Sequence, residues 1–366
     1  MKVKTSKFVQ IAKRLMQARP ATTIGIDIGS GAIKVAEIHW DHGNPELKTV
    51  GIAELPVNIV RDGYIVNKTV LAETMQRLLA VCGVVGRHVV LSVSGQSVLV
   101  RELRFPAMST VELRQAIKWE LDKYIPPAEV DNYYFDFAVV SPACQEQEMK
   151  VLLVAAPLER IITLTDLTKA LGFKPVAIEI EPLALYRTMD KADNSIVVDL
   201  GAYLCQLHIF QQGVPLVSRF IPLGGVRYTE VIMQTMNLDF HEAERMKLRQ
   251  KLLLDCPDMS GENSSVTNCL KLLVAELSRE ICRMMDYYKM QNRSAIIDRI
   301  ILTGGSAQLL NLAGKLAEQL EDTNVVVHTP LTEIQLAPSL DTEWLTSKAP
   351  QLAVAIGLAL RGGESD

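Results

Sequence analysis

Residues 25–38 read GIDIGSGAIKVAEI, and which phosphate-binding device they encode decides the fold. A Walker loop needs G-x-x-x-x-G-K-[ST] between a strand and a helix, and the chain contains no such run. A Rossmann loop needs G-x-G-x-x-G opening a helix whose N-terminus receives the pyrophosphate. Here the run is Gly29-x-Gly31-x-x-Lys34, and the AIKVAEIHW that follows is rich in β-formers and leads to the turn residues DHGNP at 41–45. The remaining device is a phosphate-clasping β-hairpin. Its turn lets the backbone N–H groups of Gly29, Ser30 and Gly31 converge on an anion. Asp27, ending the first strand, then faces the Mg2+ that accompanies the phosphates, through water because Mg2+ sheds its hydration shell reluctantly. Lys34, on the returning strand, either neutralises phosphate charge or is an exposed strand lysine.

The same grammar returns at 194–225, NSIVVDLGAYLCQLHIFQQGVPLVSRFIPLGG. An apolar strand ends in Asp199-x-Gly201, a tight turn follows, and a second and third strand run on through Gln212-Gly213 to Gly224-Gly225. Asp199 mirrors Asp27, and Gly201 and Ala202 offer the backbone donors. A further glycine pair, Gly304-Gly305 with Ser306, follows the strand RIILT. So long-range a repeat is no solenoid. It describes two lobes of related α/β fold, each with a hairpin that grips a triphosphate from its own side.

Between the halves, strands are expected in VVLSVSGQSVLVREL, NYYFDFAVV and MKVLLVAAP. Ser109 and Glu112 form a capping box for a helix that Pro126-Pro127 stops, and LERIITLTDLTKALGF reads as a second helix. This is a β-α-β-β-α unit inserted in the first lobe. A helix is also expected over Lys68–Val81. In the second half, Asp239 and Glu242 cap a short helix, a long amphipathic helix covers 266–290, GGS precedes another, and QLAVAIGLALR closes the chain as a helix.

Net charge is −4, so nothing draws the whole chain to nucleic acid. Apolar stretches such as LAVAIGLAL fall well short of the ~20 residues of a membrane helix. Six cysteines (Cys82, Cys144, Cys205, Cys256, Cys269, Cys282) lack metal-site spacing, and no secretory signal precedes them. Free thiols in a reducing cytoplasm fit this pattern. The local anomaly is residues 1–20, where Lys2, Lys4, Lys7, Lys13, Arg14 and Arg19 accompany the helical stripe Phe8, Ile11, Ala12, Leu15 and Met16. Such a segment lies on an anionic membrane surface or packs on the protein's own body.

Together, IGIDIGSGAIKVAEI, VDLGAYLCQLHIFQQGVPLVSRFIPLGG, LLVAELSREICRMMDYY, RIILTGGSAQLLNL and AVAIGLALR resemble the actin-like ATPase superfamily, from 23 to 361. Within it they are similar to the PilM family of the type IV pilus inner-membrane platform. FtsA shares the pattern but adds a C-terminal membrane helix, whereas this sequence ends RGGESD. The resemblance implies a two-lobed actin-like fold of duplicated ribonuclease-H-like lobes with an FtsA/PilM-type subdomain inserted in the first. Its parts are residues 1–20, first lobe 21–88 and 174–193, insertion 89–173, second lobe 194–342 and a C-terminal helix and tail 343–366.

The resemblance further implies ATP and Mg2+ as ligands with at most weak ATPase activity. Gly304, Gly305 and Ser306 serve the adenosine and α-phosphate at a helix N-terminus. Glu244 and Lys247 contact ribose or adenine, or are simply solvated helix residues. Glu181 positions the attacking water, and Asp27 and Asp199 hold Mg2+ through water. Tyr203, Leu204 and Cys205 replace the usual Ser or Thr of the second hairpin, which weakens its grip on the γ-phosphate. The implied partner is the N-terminal cytoplasmic tail of PilN, received where the insertion meets the first lobe; the insertion's Trp119, Tyr124 and Tyr133–Phe135 form core or contact surface. Other pilus platform or motor proteins, and self-association, are open partners at the cytoplasmic face of the inner membrane.

Overall fold

A computed structural model describes residues 20–141, 148–189, 194–249, 253, 262–291, 296–320 and 323–363. The expected basic N-terminal helix, Cys144 and Cys256 lie outside them. In chain order the elements begin β1 Thr22–Ile28, β2 Ala32–Asp41, β3 Asn44–Glu54, β4 Val60–Arg61, β5 Tyr64–Ile65, α1 Lys68–Val81 and β6 His88–Val93. Then come β7 Leu99–Phe105, α2 Thr110–Leu121, β8 Tyr133–Ser141, β9 Met149–Pro157, α3 Leu158–Ala170, β10 Lys174–Ile180 and α4 Glu181–Arg187. The second half runs β11 Ser195–Leu200, β12 Cys205–Gln211, β13 Val214–Ile221, α5 Gly225–Met236, α6 Phe240–Arg249 and α7 Glu262–Gln291. It ends with β14 Arg299–Thr303, α8 Leu312–Gln319, β15 Val325–Val327, β16 Gln335–Leu336 and α9 Thr342–Leu360.

These elements form two compact units. One takes the chain to Ser94, Arg160–Met189 and everything from Thr329 onward. Its sheet has the order β10-β6-β1-β2-β3-β16. β1 to β3 form an antiparallel meander, while β6 and β10 run parallel to β1. The β2–β3 turn sets His42 at φ 49° and Gly43 at φ 90°, a left-handed pair that suits the twist of a hairpin. The buried helix α9 crosses β1 so closely that a Cβ on Gly25 would stand 1.9 Å from the carbonyl oxygen of Ala355. Its Gly357 meets the Ala184 carbonyl of α4 in the same way. Beside this contact, the buried Glu179 carboxylate accepts two bonds from Arg187, at 2.7 and 2.9 Å, and one from Arg361 at 2.8 Å. The chain leaves this unit after Ser94 and re-enters at Arg160, whose buried guanidinium donates back to the Ser94 carbonyl.

The other unit comprises Gly95–Glu159 and Asp190–His328. Its five-stranded sheet, β13-β12-β11-β14-β15, repeats the first: a meander, then two parallel strands beside its opening strand. The turn glycine and its left-handed neighbour recur as Gln212 (φ 48°) and Gly213 (φ 87°). Residues 95–159 add a three-stranded sheet, β7-β9-β8, packed on α2 through Leu103, Leu113, Ile117, Leu121 and Leu153. Ser109 and Glu112 form the expected reciprocal cap of α2. Aromatic residues divide here. Tyr133 and Phe135 pack against the core of this sheet, whereas Trp119 is 77% exposed and Tyr124 and Tyr134 are exposed.

Two elements depart from the sequence reading. α9 begins nine residues before Gln351, at Thr342, because the Asp341 carboxylate caps the Trp344 amide at 3.0 Å and the helix accommodates Pro350. Gly304 to Ser306 do not open an α-helix. One 3-10 turn, Gly305–Gln308, follows, then Asn311 enters the left-handed region (φ 66°), and α8 starts only at Leu312.

Candidate functional site

In the first unit, Asp27 and Lys34 face each other across the β1–β2 pair. The Gly29 amide donates to the Ala32 carbonyl at 3.0 Å and closes the turn between them. That amide is therefore engaged within the turn. Lys34 Nζ donates to Asp27 Oδ2 at 2.9 Å, with the two side chains 15% and 5% exposed. Of its two sequence readings, the exposed strand lysine is thereby ruled out. A Cβ on Gly29 would stand 2.8 Å from that ammonium, so any side chain there would make the lysine shift. Glu181, buried at the start of α4, follows β10 directly. Because β10 and β6 run parallel to β1, Glu181 sits at the same end of the sheet as the Asp27 turn.

The second unit rebuilds this hairpin in the same register. Asp199 faces Gln206, and the Gly201 amide donates to the Leu204 carbonyl at 3.0 Å. Its turn is held from behind. The amides of Gly225 and Val226, at the start of α5, donate to the carbonyls of Gly201 and Ala202 at 2.9 and 2.8 Å. Gly304, at φ +85°, lies against the Asp199 carboxylate. Gly304 thus serves close backbone approach, and a 3-10 turn rather than an α-helix starts beside it.

Beside this turn stands a buried lysine. Lys247, 3% exposed, donates to Glu244 Oε2 at 2.7 Å, Thr229 Oγ1 at 3.0 Å and the Gly225 carbonyl at 3.1 Å. Burial pulls its pKa down from the ordinary lysine value, and the Glu244 carboxylate opposes that shift. A Cβ on Gly225 would meet Ser306 Oγ at 2.1 Å and Lys247 Nζ at 3.3 Å. Asp199, Gly201, Ala202, Gly304, Ser306 and Lys247 are therefore brought together in one unit. The solvated-helix reading fails for Lys247. Sequence reasoning missed Thr229, four residues after Gly225 on α5, and Gln206. The signal for Gln206 was its spacing, since it follows Asp199 by the interval that separates Lys34 from Asp27.

Among the described residues, no three His, Cys, Asp or Glu side chains cluster as a metal cage, and no helix is long and apolar enough to cross a membrane. The family described as type IV pilus assembly protein PilM matches residues 25–363. The chain belongs to the PilM family. The solved PilM-PilN type IV pilus biogenesis complex is similar to this PilM family member at 27% identity, covering 95% of this chain and 100% of that one, with a TM-score of 0.81. EutJ, the ethanolamine utilization protein of Carboxydothermus hydrogenoformans, matches at 15% identity over 94% of this chain and 90% of its own, with a TM-score of 0.56. MreB5 of Spiroplasma citri bound to ADP matches at 12% identity over 94% and 97%, with a TM-score of 0.54. These last two matches speak for the fold alone, which is the two-lobed actin-like α/β architecture.

Proposed function

We propose that this PilM family member binds ATP with Mg2+ and serves as an adaptor of the type IV pilus platform, taking the cytoplasmic N-terminal tail of a PilN-type membrane protein. The observation that carries the nucleotide reading is the duplicated hairpin: one Asp-x-Gly turn in each unit, with equal strand register and the same turn-closing bond. The MreB5 match, with its bound ADP, supports that reading. The PilM-PilN match supports the partner.

Asp27 and Asp199 fit a hydrated cation, because each carboxylate stands one residue before its strand's end, beside a glycine turn. Bound Mg2+ would supply charge neutralisation on the phosphates. The amides of Ser30, Gly31 and Ala202 orient phosphate oxygens, and Lys247, Glu244 and Ser306 line the adenosine end. Glu181 orients a water, and turnover is slow because Tyr203, Leu204 and Cys205 offer the second hairpin no small hydroxyl. By linkage, a tail that prefers one nucleotide state shifts nucleotide affinity by the same factor. The place of action is the cytoplasmic face of the inner membrane.

The test is a thermal-shift titration with ATP, with and without Mg2+, on the native protein and on Asp27→Ala. Ligand at a hundredfold its Kd adds about 2.7 kcal/mol of stability. The native protein should show a Mg2+-dependent shift that Asp27→Ala lacks. No shift in a preparation stripped of nucleotide would leave a peptide-binding scaffold instead.

A further inference from the structure

The two hairpins match in register and differ in one charge. Where the first places Lys34 opposite Asp27, the second places the neutral Gln206 opposite Asp199. Both turns close with the same 3.0 Å bond, so the hairpin itself does not require the lysine. What the lysine does is electrostatic. Asp27 is 4% exposed, and a carboxylate so buried is costly without a nearby cation. The ammonium stands 2.9 Å from Asp27 Oδ2 and 2.8 Å from the place a Gly29 side chain would fill, on the turn whose amides face the phosphate in the proposed function. A lysine ammonium is a compact charge on a rotatable stem, able to exchange one anionic partner for another at short range.

We propose that Lys34 is an internal counter-cation that exchanges partners: it neutralises Asp27 while no nucleotide is bound, and passes to a phosphate oxygen of the nucleotide when one arrives. This inference rests on the nucleotide reading given above. Asp27 becomes available to a hydrated divalent cation only once Lys34 has left it. The lysine and Mg2+ therefore serve one carboxylate in turn, and Lys34 sets how strongly ATP binding depends on Mg2+.

The experiment is isothermal titration of ATP into the full-length, nucleotide-stripped protein, in EDTA and in excess Mg2+. It compares the native chain with Lys34→Met, Lys34→Arg and Asp27→Asn. Lys34→Met should raise the Mg2+-dependent gain in affinity by about tenfold over the native chain, the loss being concentrated in EDTA. Lys34→Arg keeps the charge and should restore binding in EDTA. Asp27→Asn releases the lysine, so it should bind ATP in EDTA at least as tightly as the native chain and gain little from Mg2+. Equal losses in both buffers for Lys34→Met, or weaker binding in EDTA for Asp27→Asn, would overturn the exchange. Should Lys34→Met not fold, the other two variants decide the question by themselves. A native chain that binds no ATP in either buffer defeats the nucleotide reading itself, an outcome separate from the others.

Discussion

A side chain on Gly304 would place its Cβ 2.4 Å from Oδ1 of Asp199 and 2.7 Å from the carbonyl oxygen of Leu200. The backbone there is also left-handed, at φ +85°. Gly304→Ala must therefore strain the backbone or push the carboxylate aside. We expect a loss of about 1–3 kcal/mol in urea denaturation, together with weakened ATP binding. Unchanged stability would mean that the turn yields easily and does not position Asp199.

The proposed function gives Lys247 the adenosine and Lys34 the phosphates. Lys247→Met should weaken AMP and ATP binding by similar factors, since it alters the adenosine end. Lys34→Met should weaken ATP while leaving AMP largely untouched. Fluorescence titration of both nucleotides against both variants separates the roles, and a reversed pattern would exchange them.

Two buried histidines set the acid side of the stability curve. Burial lowers the pKa of His208 from 6.5 to about 3, and burial together with Arg299 lowers that of His328 from 6.5 to about 4. Each stays neutral in the folded chain while the unfolded chain takes up a proton, so the stability they contribute is complete above pH 6.5 and is lost as pH falls toward those lower values. Each adds up to about 1.4 kcal/mol per pH unit in that window. His208→Asn should lower the slope of stability against pH between about pH 4.5 and 6.5 by roughly one proton's worth, measured by urea unfolding. An unaltered slope would mean that His208 takes up its proton without unfolding.

The Glu179 network predicts unequal losses. Arg187→Met removes a two-pronged partner from a nearly inaccessible carboxylate and should cost about 3 kcal/mol. Arg361, whose side chain is 35% exposed, gives a single bond, and Arg361→Met should cost about 1 kcal/mol or less. Thermal unfolding of the two variants checks the order.

The duplicated hairpins were legible because their information is local: alternating β-branched residues, an acidic strand end and a glycine turn. The caps of α2 and α6 were legible for the same reason, the Asp239 carboxylate accepting from the Glu242 amide at 2.8 Å. α9 was legible only in its second half, since an interior proline ordinarily stops a helix and only tertiary packing retains it at Pro350. The start of α8 was misplaced because a glycine pair before an apolar stretch looks the same whether an α-helix begins at once or after a left-handed Asn311. Which helix residues surround Lys247 depends on how α5 meets α6, and no spacing in the sequence carries that. The division of aromatic residues on the insertion, Phe135 inward and Trp119 outward, likewise awaited the sheet.

Strand β1 is covered by α9, which the ribosome makes long after it. The unit that carries Asp27 is built from three segments, the last beginning at Thr329, whereas the other is complete by His328. On a ribosome the second unit can therefore complete its core while the first still waits, its central strand bare where Gly25 later receives Ala355. Synthesis must pass Leu360 before the Asp27 hairpin has a finished sheet beneath it. Completion of α9 thus becomes a checkpoint: a chain cut short within it would keep the Lys247 cluster and lose the support of the Asp27 turn.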